Sequence, residues 1–229
     1  MKTVSKNKIS NIKGRMVFDS RGKPTVEAEV IVNGEVSGSS IAPSGASTGK
    51  KEAIEKRDNK NDFLGESVNN NILLINTIIK ENLIGFDIED QEGIDNKLIK
   101  LDGTPNKSFL GANTTIAVSM AALKTAAISN KTSLWSYLSL NSEKKIPLPE
   151  VQIIGGGAHA KGSIPIQDFM IIPNGSPNFY IALEWIFKVY RKAGEKLLKE
   201  KKLFGVADEG GYWPFFKYIE EVLNFLTET

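Results

Sequence analysis

Residues 25–32 read TVEAEVIV, an alternation of apolar and acidic or small residues that runs straight into Asn33-Gly34. A period of two sends successive side chains to opposite faces, as in a half-buried strand. Asn-Gly tolerates the positive φ angles of a hairpin turn. EVSGSSIAP then returns as a further strand, and upstream ISNIKGRMVFDS closes at Arg21-Gly22-Lys23-Pro24. Three strands joined by tight turns predict an antiparallel meander, which needs covering helices to bury its apolar face.

The period changes after residue 42. SVNNNILLINTIIKENLIG carries apolar residues at helical spacing and stops at Gly85, and DIEDQEGIDNKLIKLDG is a second helix candidate. GANTTIAVSMAALKTAAISN is rich in small residues, which lets a helix pack close to its neighbours, and SLWSYLSL reads as a short helix. Lys144, Lys145, Pro147 and Pro149 mark a boundary. Beyond it, LPEVQIIGGG and IQDFMIIPNG read as strands. SPNFYIALEWIFKVYRKAGEKLLKEK reads as a helix with Pro177 in its first turn. FGVADEGGYWP reads as a short strand with a glycine-rich loop, and FKYIEEVLNFLTET as a last helix.

At 229 residues the chain suits one large domain or two modest ones. A net charge of +2, mixed along the sequence, gives no case for nucleic-acid or membrane binding. The absence of cysteine excludes disulfides and thiolate metal sites. MKTVSKNKIS lacks the apolar core of a secretory signal, so a cytoplasmic protein is expected.

PSGASTGKKE (43–52) looks like a phosphate-binding P-loop, but only three residues separate Gly45 from Gly49, and Lys50 is followed by Lys51. Ser44, Ser47 and Thr48 instead offer hydroxyl oxygens suited to a hard cation such as Mg²⁺. Equally, Ser47 or Thr48 would cap a helix containing Glu52, with Lys56 and Arg57 as solvated helix charges. Asp208-Glu209-Gly210-Gly211 is either an acid/base pair at a strand end or an acidic turn. His159, the only histidine, follows three glycines and either meets a ligand or is structural. Asp168 is an acid/base group, a metal-shell carboxylate or an edge-strand charge.

Taken in order, five segments resemble the enolase family: FDSRGKPTVEAEV, APSGASTGKKEAIEKRD, LDGTPNKSFLGANTTIAVSMA, IIGGGAHAKGSIPIQDFMIIP and VADEGGYWP. The resemblance implies an α+β N-terminal domain over residues 1–140, built of a three-stranded antiparallel meander plus helices. The first part of an enolase-type β/α barrel would follow over 141–229. It implies a Mg²⁺-dependent lyase of glycolysis that dehydrates 2-phosphoglycerate to phosphoenolpyruvate. Glu209 would be the general acid, Asp168 would stand where the family has a second catalytic glutamate, and His159 and Gln167 would bind substrate. Ser47 would ligate a second Mg²⁺ as its loop closes.

Three positions depart from the family's pattern: Gly155 replaces an asparagine, Asp168 a glutamate and Ala207 a glycine. A complete barrel needs about 250 residues, and the principal Mg²⁺ carboxylates and the catalytic lysine have no counterpart here. The chain therefore reads as a truncated member, expected to be inactive alone. The alternative is a non-catalytic paralogue that pairs with an intact enolase. A homodimer is the other partner arrangement the resemblance implies.

Overall fold

The computed structural model describes residues 7–42, 44–45, 48–59, 61–139, 143–160, 164–207 and 209–229, except the side chains of Ala158 and His159. The chain divides into two units, Met1–Glu143 and Lys144–Thr229.

The first unit opens with β1 (Ile9–Phe18), β2 (Pro24–Val32) and β3 (Val36–Ile41), an antiparallel sheet in that order. The alternation in β2 is realised in space: Val26, Ala28, Val30 and Val32 are fully buried, while Glu27 and Glu29 are partly exposed. Asn33 and Gly34 adopt the positive φ angles expected of them, 52° and 81°. The turn holds three residues, since Val32 pairs with Val36. A register shift at Ser10 loosens the start of β1, and the Ser10 hydroxyl takes up the Gly34 N–H at 2.9 Å.

Helix α1 (Asn69–Leu74) continues through a π-helical stretch (Ile75–Ile79) into α2 (Lys80–Leu83). The π stretch lies against β1. Asn76 pairs with both backbone groups of Gly14, accepting at 2.9 Å and donating at 3.1 Å, and so satisfies part of the sheet edge. Helix α3 (Gln91–Asp102) is capped by Asp90, which accepts from Gly93 N–H at 3.0 Å, and ends at left-handed Gly103.

Helix α4 (Ala112–Ser129) is the small-residue helix, and it buries Ala117, Val118, Ala121, Ala122 and Thr125. Its packing on β2 and β3 explains its composition. A Cβ at Gly38 would lie 2.8 Å from Thr125 Oγ1 and 2.9 Å from Thr125 N, so strand and helix backbones touch. Helix α5 (Leu134–Ser139) follows.

The second unit holds a four-stranded sheet. Its strands are β4 (Val151–Gly155), β5 (Asp168–Ile171), β6 (Leu203–Val206) and β7 (Tyr212–Pro214), in the order β5-β4-β7-β6. β4 and β7 are parallel, and the outer pairs are antiparallel. Among the described residues the sheet is open, a partial enolase-type barrel rather than a closed one. β7 corrects the reading of 204–214 as one strand and a loop: two glycines turn the chain back, and Tyr212 then packs inward.

Helix α6 (Phe179–Lys199) begins after Asn178, whose side chain accepts from Ile181 N–H at 3.0 Å. Pro177 thus precedes the cap instead of lying in the first turn. The helix buries Ala182, Ile186, Ala193, Gly194 and Leu197, one face at helical spacing. Gly194 admits the Tyr212 ring, because a Cβ there would meet the phenol oxygen at 2.3 Å. Tyr190 stacks on Tyr212 at 4.3 Å between ring centres, and helix α7 (Ile219–Thr227) adds Val222 and Phe225 to the core. No helix among the described residues is long and apolar enough to cross a membrane.

Candidate functional site

Each unit carries one group of the residues singled out from the sequence. In the first, the segment after the SGASTG loop is not the helix expected. Residues 53–59 have no helical structure, because their backbone groups are taken by more distant partners. Ile54 N–H donates to Asn106 at 2.8 Å, and Ile54 accepts from Ala112 N–H at 2.8 Å. The Asn113 amide pairs with both backbone groups of Lys56, at 3.3 and 3.0 Å. Asp58 caps α1 instead, accepting from Asn69 and Asn70 N–H at 2.7 and 3.0 Å.

Arg57 is no solvated helix charge either. Its guanidinium donates to the carbonyls of Pro24 and Glu66 and to the Glu55 carboxylate. Glu55 in turn accepts from the Ser44 hydroxyl at 2.7 Å. These groups border a cavity of about 560 Å³ whose lining includes Ser44, Thr48, Glu52, Arg57 and Glu66. Ser47 lies outside the described residues.

The stretch 102–113 underpins this arrangement. Asp102 accepts from Thr104 N–H at 3.0 Å, from the Thr104 hydroxyl, and from Leu110 N–H at 2.7 Å. Burial opposes its charge, but the hydrogen bonds from Thr104 and Leu110 outweigh that and hold its carboxyl below the usual range. Gly111 sits at φ 93°, and a Cβ there would fall 2.5 Å from Asn113 Oδ1. The glycine is needed for the asparagine to reach Lys56.

In the second unit, Asp168 and Glu209 come together from different parts of the chain. The Gln152 side-chain nitrogen donates to Asp168 Oδ1 and, at 3.2 Å, to Glu209 Oε2. Gln152 Oε1 accepts from Gly211 N–H at 2.8 Å. The turn bearing Glu209 is closed by Ala207 N–H to Gly211 O at 2.8 Å and Gly210 N–H to Ala207 O at 2.9 Å. The Tyr190 hydroxyl donates to Gly210 O at 2.8 Å. Sequence reasoning missed Gln152, and the only signal for it was an isolated amide in an apolar strand.

Gln167 is exposed, and its carbonyl accepts from Gly156 N–H at 2.6 Å. The His159 side chain and all of Asp208 lie outside the described residues. Two of the departures noted in the sequence meet in space. A Cβ at Gly155 would stand 2.7 Å from the Ala207 Cβ, so the methyl gained at 207 occupies room vacated at 155. Among the described residues there is no group of three or more histidine, aspartate or glutamate side chains able to hold a metal ion. Asp168 and Glu209 bring two carboxyl groups together through an amide, and Ser44, Thr48, Glu52 and Glu55 line the cavity of the first unit. Such oxygens are the kind of donor that Mg²⁺ takes.

Residues 9–138 match the family model for the enolase N-terminal domain, and residues 143–229 the model for the enolase C-terminal TIM barrel domain. The chain is 45% identical over 223 residues to enolase 1 of Desulfitobacterium hafniense (strain Y51), covering 97% of this chain and 51% of that protein. It is 45% identical to the enolase of Pelagibacter ubique (strain HTCC1062), covering 96% of this chain and 53% of that protein. Against the Methanocaldococcus jannaschii enolase the identity is 43%, with the same two coverages. The chain spans about half the length of the curated relatives it matches. Both domain models are matched in order along one chain, and the meander with its covering helices precedes an open β/α sheet: the chain belongs to the enolase family.

Proposed function

We propose that this chain supplies part of the site of a hydro-lyase that dehydrates 2-phosphoglycerate to phosphoenolpyruvate, the glycolytic reaction. The observation that carries the reading is the meeting of Asp168 and Glu209 on one amide, which gathers two carboxylates that are 41 positions apart in sequence. In the reaction the C2–H bond breaks, the C2=C3 double bond forms, and the C3 hydroxyl leaves as water. The C2 proton goes to a base that no residue of this chain is assigned to supply. Glu209, as the carboxylic acid, gives its proton to the departing hydroxyl. A carboxylic acid that accepts a hydrogen bond on one oxygen can carry its proton on the other, so the contact with Gln152 is compatible with that role. His159 and Gln167 bind the substrate, and Asp168 assists in orienting it. Mg²⁺, with Ser47 among its ligands, would offset the charge that builds on the substrate carboxylate. Alone, the chain is expected to form no phosphoenolpyruvate.

The test joins the chain to the complementary half of an intact relative. Glu209→Gln is expected to lower dehydration about 10²–10⁴-fold, the usual worth of general-acid assistance. Deuterium exchange at C2, followed by NMR, is expected to persist, since it needs only the base. Equal loss of both would remove the acid assignment.

A further inference from the structure

Gln152 joins the two carboxyl groups but has been given no role of its own, and three hydrogen bonds converge on its side chain. In a regular strand, residues 152 and 155 point to opposite faces. Here Gln152 pairs with Met170 and Gly155 with Asp168, and the ladder shifts register between 152 and 154. The extra residue, Ile153, reverses the parity, so Gln152, Gly155, Asp168 and Met170 share one face. Gly155 contributes no side chain, and the amide lies over it: a Cβ there would be 3.7 Å from Gln152 Nε2.

The amide's orientation is fixed by its third partner. Gly211 N–H can only donate, so Oε1 must face it, at 2.8 Å, and the NH₂ group must face the carboxylates. Gly211 is required for this, since a Cβ there would fall 2.4 Å from Gln152 Oε1. The two N–H bonds of an amide diverge by about 120°, so acceptors at ordinary distances lie about 5 Å apart. Two carboxyl groups from separate segments thereby share one donor group.

The geometry points to Gln152 as the positioning residue that sets the spacing and direction of the Asp168 and Glu209 carboxylates. The weight of this bridge for catalysis rests on the dehydration reading, whereas its existence does not. NMR on the isotope-labelled 229-residue chain tests it without turnover. The Gln152 side-chain amide protons are expected to exchange about tenfold more slowly than those of exposed Gln167, as a net hydrogen bond of ordinary strength implies. Asp168→Ala and Glu209→Ala should each shift the Gln152 amide signals. Gln152→Leu, close in volume but without a donor, should shift the side-chain carboxyl ¹³C signals of both Asp168 and Glu209. A Gln152 amide exchanging at the Gln167 rate overturns the proposal, as do carboxyl signals unmoved by Gln152→Leu. Should Gln152→Leu fail to fold, the two alanine variants, read on Gln152 itself, still decide. Failure of dehydration in the extended chain would leave this result standing, so the two readings fail separately.

Discussion

The two units use their polar side chains for different ends. In the first, Asn76, Asp58, Asp102 and Asn113 all bond to backbone groups, and each holds one stretch of chain against another. In the second, the Gln152 amide holds two side chains and a single backbone N–H. The first arrangement fixes the chain's path, and its loss costs stability. The second fixes functional groups, and its loss costs geometry. The cores differ in size as well. Among the described residues, twenty buried apolar side chains form the first unit's core, beneath α4 and the π-containing helix, and ten form the second's. Phe187, Phe204 and Phe215 of the second are left 64%, 66% and 61% exposed.

The largest expected effect follows from that burial. Urea should unfold the chain in two steps, the second unit first. Trp185 and Trp213 report the second unit once Trp135, in the first, is replaced by phenylalanine. A single coincident transition by fluorescence and far-UV circular dichroism would break the comparison. Next comes Gly38→Ala. The new methyl meets the Thr125 backbone, which cannot swing aside, and the expected cost is about 1–3 kcal/mol, read from the later urea transition. An unchanged midpoint would mean that α4 lies further from β3.

Acid should sharpen the contrast. Asp19 is held below the ordinary carboxylate range by the Lys23 N–H, Glu27 by Arg15, and Asp102 by its hydrogen bonds despite burial. A carboxylate with a depressed folded-state pKa contributes stability that is complete above the unfolded value, about 4. That stability is lost as pH falls through the lower folded values. The first unit should therefore lose stability below about pH 4 more steeply than the second. Asp102→Asn should flatten that slope while costing about 1–2 kcal/mol at neutral pH. Chemical unfolding as a function of pH measures both. The smallest effect on stability is expected from Gly211→Ala. Its methyl displaces the end of a flexible glutamine, so the urea midpoints should hold within about 0.5 kcal/mol while the Gln152 amide signals move. A large destabilisation would show that Gln152 secures the fold as well as the carboxylates.

The meander was legible because the β2 alternation and Asn33-Gly34 are local signals that agree with the tertiary outcome. Helix α4 was legible in its small residues, which the contact with Gly38 later explains. The π stretch was not, since Ile75 and Ile79 satisfy ordinary helical spacing and the widened turn is set by Asn76 reaching Gly14 across 62 positions. The missing helix after the SGASTG loop has the same cause, because Asn113 holds Lys56 from 57 positions away. At the site, Glu209 and Asp168 were recognisable as carboxylates beside glycines. Their common partner was invisible, because Gln152 faces them only through a register shift that no spacing rule reveals.

That shift has a consequence for how such a site can change over generations. Gln152 reaches its face because the residue added between it and Gly155 is taken up in a bulge and not in the ladder. Deleting Ile153 would leave a regular ladder in which Gln152 and Gly155 stand two apart, still opposite Met170 and Asp168. The sheet would lose one buried isoleucine, but the amide would keep its place beside the carboxylates. It would turn away only if the bulge were drawn flat, with Ile153 paired in the ladder. The bridge in this five-residue strand is thus buffered against the loss of one codon while it depends on the bulge for as long as that codon is present.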